Sequence, residues 1–155
     1  MDLFLVQHGE AKSEAEDPER SLTDRGAEAV RRMATWAAQV GVKVDQIRHS
    51  GKRRAEQTAA LLAEQLSPVN GTIAVTGLAP NEDVRPVAEG LPAELGAVML
   101  VGHLPFLSRL AGFLLTGDPE AGVIRFRMAG STGLSPPEGP GAVTGVVPPA
   151  LVGVG

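Results

Sequence analysis

Two histidines and a pair of arginines have the types and the settings to do chemistry. His8 follows the run Leu3-Phe4-Leu5-Val6-Gln7 and precedes Gly9-Glu10. His103 follows Ala97-Val98-Met99-Leu100-Val101-Gly102 and precedes Leu104-Pro105. Arg53 and Arg54 lie in the segment Ser50-Gly51-Lys52-Arg53-Arg54-Ala55-Glu56-Gln57-Thr58. A neutral imidazole can offer one nitrogen as a nucleophile or ligand while the other donates a hydrogen bond. A guanidinium gives paired donors to phosphate oxygens, and the amides at a helix N-terminus attract anions. Taken singly, each feature also fits a bland setting: a turn histidine, or a solvated first helical turn. Their conjunction is far more specific than any one of them.

The elements that would position these residues follow from the hydrophobic pattern. Leu3–Val6 reads as a short buried strand, Val44–Ser50 as a second, Ile73–Val75 as a third and Ala97–Val101 as the clearest of all. Between them, Thr23 makes an N-cap for a helix with Ala27, Val30, Ala34 and Ala37 on one face, closed by Gly41. Trp36 is expected at the margin of that face. The acidic stretch from Ala11 to Arg20 reads as a solvated loop. A second helix runs from about Lys52 to Leu66 and ends before Pro68. A brief helix is expected over Val84–Leu91, and another from Pro105, as its first residue, to Leu115 before Gly117. From Val123 to Met128 the pattern changes to alternation, and with Ala142–Val147 it reads as an antiparallel edge hairpin. Strands alternating with helices give an α/β fold with a mainly parallel sheet. His8 and His103 then occupy equivalent positions, each two residues beyond a buried strand, and parallel strands place both on the carboxyl edge where ligands bind.

Composition narrows the function. The 155 residues suffice for one domain with its own core, and 43% are hydrophobic. A formal net charge of -4 argues against nucleic acid or an anionic membrane as main partner. The absence of cysteine removes thiolate nucleophiles, disulfides and cysteine zinc sites, and is compatible with a reducing compartment. The N-terminal apolar run is too short for a signal peptide, and no segment reaches 18 consecutive apolar residues. The expectation is a soluble, cytoplasmic, single domain over residues 1–155.

Leu5-Val6-Gln7-His8-Gly9-Glu10, Leu22-Thr23 with Gly26, Ser50 to Thr58, and Val101-Gly102-His103-Leu104-Pro105 together resemble the histidine phosphatase superfamily, most closely its small SixA-type phosphohistidine phosphatases. The resemblance spans nearly the whole chain. It implies a three-layer α/β/α, phosphoglycerate mutase-like fold with a phosphate pocket at the carboxyl ends of the strands. It further implies that His8 is the nucleophile that becomes transiently phosphorylated, Arg54 a phosphate-binding arginine and His103 the second histidine of the pocket. The implied activity is hydrolysis of phosphohistidine on a partner protein, for example a phosphotransfer domain, with no metal and no cofactor. Short connections leave little material for a lid, so a side chain presented by another protein could enter.

One departure stands out. The family's first motif is Arg-His-Gly, whereas this chain carries Gln7. A glutamine amide donates hydrogen bonds without charge. A hydrogen bond to a charged group is worth about 1.5–3 kcal/mol, which corresponds to about a tenfold to hundredfold loss unless Lys52 or Arg53 compensates. In the implied mechanism His8 attacks phosphorus while Gln7, Arg54 and a protonated His103 hold the equatorial oxygens. Glu82 or Asp83 stands where larger relatives carry a general acid, although either also suits a helix N-terminus.

Rival readings remain at this level. A three-histidine metal site would use His8, His49 and His103, without a His-x-x-x-His spacing to support it. Ala129-Gly130-Ser131-Thr132-Gly133 is a near miss to a nucleophile elbow and reads as a turn. Gln7 motivates a non-catalytic phosphate or phosphoprotein binding module, and small phosphate esters are alternative substrates. The stretch from Ser135 to Gly155 is a proline-rich tail.

Overall fold

The computed structural model describes residues 2–91 and 96–126, together with the backbone of 131–134 and 143–147. The order of elements is β1 (Asp2–Gln7), α1 (Asp24–Gln39), β2 (Gln46–His49), α2 (Arg53–Leu66), β3 (Thr72–Ala74), α3 (Arg85–Gly90), β4 (Ala97–Gly102), α4 (Phe106–Thr116), β5 (Ser131–Leu134) and β6 (Val143–Val147). They build one six-stranded sheet in the order β3-β2-β4-β1-β5-β6. The four strands β1 to β4 are parallel, and β5 and β6 are antiparallel to their neighbours.

The continuous apolar runs of β1 and β4 follow from burial on both faces, as a parallel sheet covered by helices requires. Successive side chains alternate between two cores. Leu3, Leu5, Val98 and Leu100 join Ala88 of α3 and Phe106, Leu107 and Leu110 of α4 on one side. Val6, Met99, Val101 and Ile47 join Val30 and Ala34 of α1 and Ala55, Ala59 and Leu62 of α2 on the other. This is the expected three-layer arrangement.

Helix ends obey local chemistry. The Thr23 hydroxyl accepts the Gly26 N–H at 2.9 Å, and Asp24 occupies the first turn of α1. Gly41, at φ 82°, closes that helix. Ser67, in the left-handed conformation, closes α2 one residue before Pro68. Pro105 stands at the N-cap of α4, one position earlier than expected.

The C-terminal hairpin is present, but its first strand is shifted. The alternating segment Val123–Phe126 is not a strand; Ile124 and Phe126 are buried in the α3/α4 core, which accounts for the alternation without any sheet pairing. The strand that pairs with β1 is β5, Ser131–Leu134, so Ser131, Thr132 and Gly133 are strand residues and not a turn. Arg127, Met128, Ala129, Gly130 and most of the proline-rich tail lie outside the described residues.

Candidate active site

Register places the two principal histidines side by side. Gln7 at the end of β1 pairs with Gly102 at the end of β4, and the His8 N–H donates to the Gly102 carbonyl at 3.1 Å. The next residues, His8 and His103, are both buried, with ring centroids 5.0 Å apart. His8 Nδ1 lies 2.7 Å from the Gly9 carbonyl oxygen. A carbonyl only accepts, so the proton resides on Nδ1 and the Nε2 lone pair is free.

The turn after β1 is clamped by close packing. A side chain at Gly9 would come within 2.9 Å of Val30 Cγ2, and one at Gly26 would run into the backbone carbonyl of Glu10. These two glycines let the N-terminus of α1 rest against the His8 turn. The Gly9 N–H donates to Thr58 Oγ1 at 3.0 Å, and the Thr58 hydroxyl donates to the Arg54 carbonyl at 2.8 Å. One fully buried hydroxyl therefore ties the His8 turn to the helix that carries Arg54.

The exit of β2 supplies the third side. Gly51 takes φ 88°, and the chain turns through Lys52, the N-cap of α2, so that Arg54 falls in its first turn. Ser50 Oγ and His103 Nε2 share a hydrogen bond of 2.6 Å, and the Lys52 N–H donates to the same oxygen at 3.3 Å. Ser50 was visible in the sequence only as part of a motif; its contact with His103 depends on β2 and β4 being neighbours.

Three polar atoms are buried here without a hydrogen-bond partner among the described residues: Gln7 Oε1, Arg54 Nε and His103 Nδ1. Each such atom ordinarily costs about 1–3 kcal/mol, so their occurrence on three adjoining strand exits calls for a functional reason. A half-turn of the Gln7 amide would put its NH2 group in the same place as Oε1.

Electrostatics keep both imidazoles neutral. Burial pushes the His103 pKa down to about 3, with the charges of His8, Arg54, Lys52 and Arg20 acting in the same direction. Burial also lowers that of His8, opposed by the Gly9 hydrogen bond and assisted by Arg54 and Arg20. For the free site the expectation of a protonated His103 gives way to a neutral one, because burial disfavours the charged form and the surrounding cations add to it.

A groove of about 560 Å³ opens beside Arg54; Arg20, Lys52 and Arg53 line it with three carboxylates, Glu14, Glu19 and Glu56. Arg53, considered above as a substitute for the missing charge, is committed to Glu56 at 2.6 Å. Glu82 and Asp83 are exposed in the turn before α3 and do not line this groove; Asp83 Oδ1 accepts the Arg85 N–H at 3.0 Å. His49 Nδ1 accepts the Gly51 N–H at 3.1 Å, and no three His, Cys, Asp or Glu residues among those described come together as a metal site. The three-histidine metal centre is therefore not assembled.

The comparisons with known proteins agree with this geometry. The family model of the histidine phosphatase superfamily (branch 1) matches residues 3–76, from β1 past β3. Phosphohistidine phosphatase SixA of Escherichia coli is 30% identical over 123 residues, 76% of each chain. The solved structure of the protein histidine phosphatase SixA complexed with tungstate superimposes with a TM-score of 0.87 at 26% identity, over 99% of this chain and 100% of that one. Phosphoserine phosphatase of Entamoeba histolytica, at 15% identity and covering 95% and 96% of the two chains, shares the fold with a TM-score of 0.72. A phosphatase relative at this identity, a matching sheet, and paired histidines beside Arg54 leave one assignment: the chain belongs to the histidine phosphatase superfamily.

Proposed function

We propose that residues 1–155 form a single domain that hydrolyses phosphohistidine on a partner protein, without a metal or other cofactor, through a phosphohistidine formed on His8. The observation that carries this reading is the free Nε2 lone pair of His8, held 5.0 Å (ring to ring) from a second buried neutral histidine and beside Arg54. The SixA relatives are what point to phosphohistidine over other phosphate compounds.

The chemistry balances in two steps. His8 Nε2 attacks phosphorus in line, the N–P bond to the substrate imidazole breaks, and the departing imidazole leaves readily when its other nitrogen is protonated. Water then attacks the phosphorylated His8 and releases inorganic phosphate. Arg54, the Gln7 amide and His103 hold the equatorial oxygens, where charge spreads in the transition state. With the Ser50 hydroxyl donating to Nε2, the proton of neutral His103 sits on Nδ1, the orphaned atom, as a donor to the phosphoryl group.

Turnover of a phosphohistidine-bearing protein, followed by phosphorus NMR with a chelator present, tests this. Release of phosphate by the wild type and none by His8→Ala is the expected result. Gln7 favours one second reading, a recognition module: phosphate binding that requires Arg54, with no turnover by the wild type, would establish it. The medium is proposed to be the cytoplasm, in keeping with a cysteine-free chain; among the described residues no helix is long and apolar enough to cross a membrane.

A further inference from the structure

Gln7 leaves the phosphate pocket one guanidinium short of the family's motif, and the loop between β1 and α1 holds another. Arg20 lines the groove together with Lys52 and Arg54. Its Nε–H donates to the Lys12 carbonyl at 3.2 Å, and its remaining N–H groups have no hydrogen bond or ion pair among the described residues. The positive charge of Arg20 reaches His8, Arg54 and His103 alike, since it disfavours protonation of all three.

The loop is built to hold that one side chain. Its two ends are joined by an Ala11–Leu22 bridge and by the Lys12 N–H donating to the Ser21 carbonyl at 2.8 Å. Asp17 organises the interior. Its carboxylate accepts the Glu19 and Ser21 N–H groups, each at 3.0 Å, and the Ser21 hydroxyl, bonds that hold its pKa at about 2. The Leu22 N–H donates to Gln57 Oε1 of α2 at 2.7 Å, fixing the loop to the helix that bears Arg54. Within this frame Arg20 itself adopts φ 50°, a left-handed conformation that glycine occupies freely and arginine does not. Strain of this kind persists where surrounding bonds over-determine it, and it gathers at functional sites.

We infer that Arg20 is a phosphate-binding residue of this site, supplying from the loop before α1 the guanidinium that Gln7 does not supply from β1. The inference rests on the phosphatase reading, and its test separates the two. The left-handed backbone makes Arg20→Gly informative, because glycine relieves the strain while removing the guanidinium. Binding of inorganic phosphate and of tungstate, measured by calorimetry alongside turnover, is expected to weaken tenfold or more in Arg20→Gly, with a thermal midpoint equal to or above that of the wild type. Gln7→Arg added to Arg20→Gly is expected to restore at least part of the affinity. Should Arg20→Gly fold poorly, Arg20→Gln carries the same measurement. Phosphate affinity and turnover within twofold of the wild type in the folded variant would overturn the role of Arg20. If Arg54→Ala loses phosphate while Arg20→Gly retains it, only this inference fails. If neither variant alters phosphate binding, the pocket itself is misassigned and the phosphatase reading falls with it.

Discussion

At the residue scale, Gln7 and the two histidines set the expected magnitudes. Replacing Gln7 with arginine introduces a charged donor beside His8, the proposed nucleophile, worth about 1.5–3 kcal/mol. The expected gain in kcat/KM is about tenfold to a hundredfold, smaller if Arg20 already supplies most of the charge; steady-state kinetics on a phosphohistidine-bearing protein measures it. The histidines also tie activity and stability to pH. Both have pKa values below the ordinary 6.5 in the folded protein and return to it on unfolding. The unfolded chain therefore binds more protons between about pH 6.5 and 3, so stability is complete above that window and declines as pH falls through it. Thermal midpoints from pH 7.5 downward are expected to show this slope in the wild type and a shallower one in His103→Asn. Asp17, with its pKa lowered from 3.8 to about 2, adds a further loss that sets in as pH falls through about 3.8, at the acid end of this window, and continues to about 2. For catalysis, kcat/KM is expected to fall on the acid side of pH 6.5, as His8 gains a proton, with no alkaline limb from His103. His8, Arg54 and His103 were legible in the sequence because each stands just past an apolar run or in a first helical turn. Ser50 and Arg20 were not, since what matters about them is which strand or groove they meet in three dimensions.

At the element scale, the meeting of β1, α1 and α2 is where small changes should have large effects. Thr58→Val keeps the volume but removes the acceptor of the buried Gly9 N–H. A loss of about 1–3 kcal/mol is expected from the unsatisfied donor, together with reduced kcat, because the same hydroxyl connects the His8 turn to Arg54. Denaturant unfolding and steady-state kinetics on one preparation measure both. Gly26→Ala drives a methyl group into the Glu10 carbonyl, so α1 must withdraw or the turn must move; both the melting temperature and turnover are expected to drop. Helices α1, α2 and α4 were legible from their periodicity and caps. The strand beside β1 was not. Val123–Met128 has the alternation of a strand, yet Ile124 and Phe126 alternate because they plug a core, whereas Ser131-Thr132-Gly133-Leu134 has little strand character of its own and is chosen by the open edge of β1.

At the scale of the whole molecule, two cores flank one sheet, and the edge that carries His8 and His103 is only as firm as both. Phe106 is fully buried at the start of α4, three residues beyond His103. Phe106→Ala is expected to cost about 3–5 kcal/mol through the cavity it leaves, seen as a lower urea midpoint with m unchanged. The strand order carries a further consequence, one of timing. Of the six strands, β1, which leads into His8, is made before the other five, yet its two neighbours in the sheet, β4 and β5, begin at residues 97 and 131. For most of synthesis β1 is a bare apolar ribbon with both edges unpaired, the state most exposed to chance association. Chains halted before residue 131 leave one of those edges open for good. Such fragments should be captured by holdase chaperones, whereas chains long enough to close the β5–β6 hairpin over β1 should escape them.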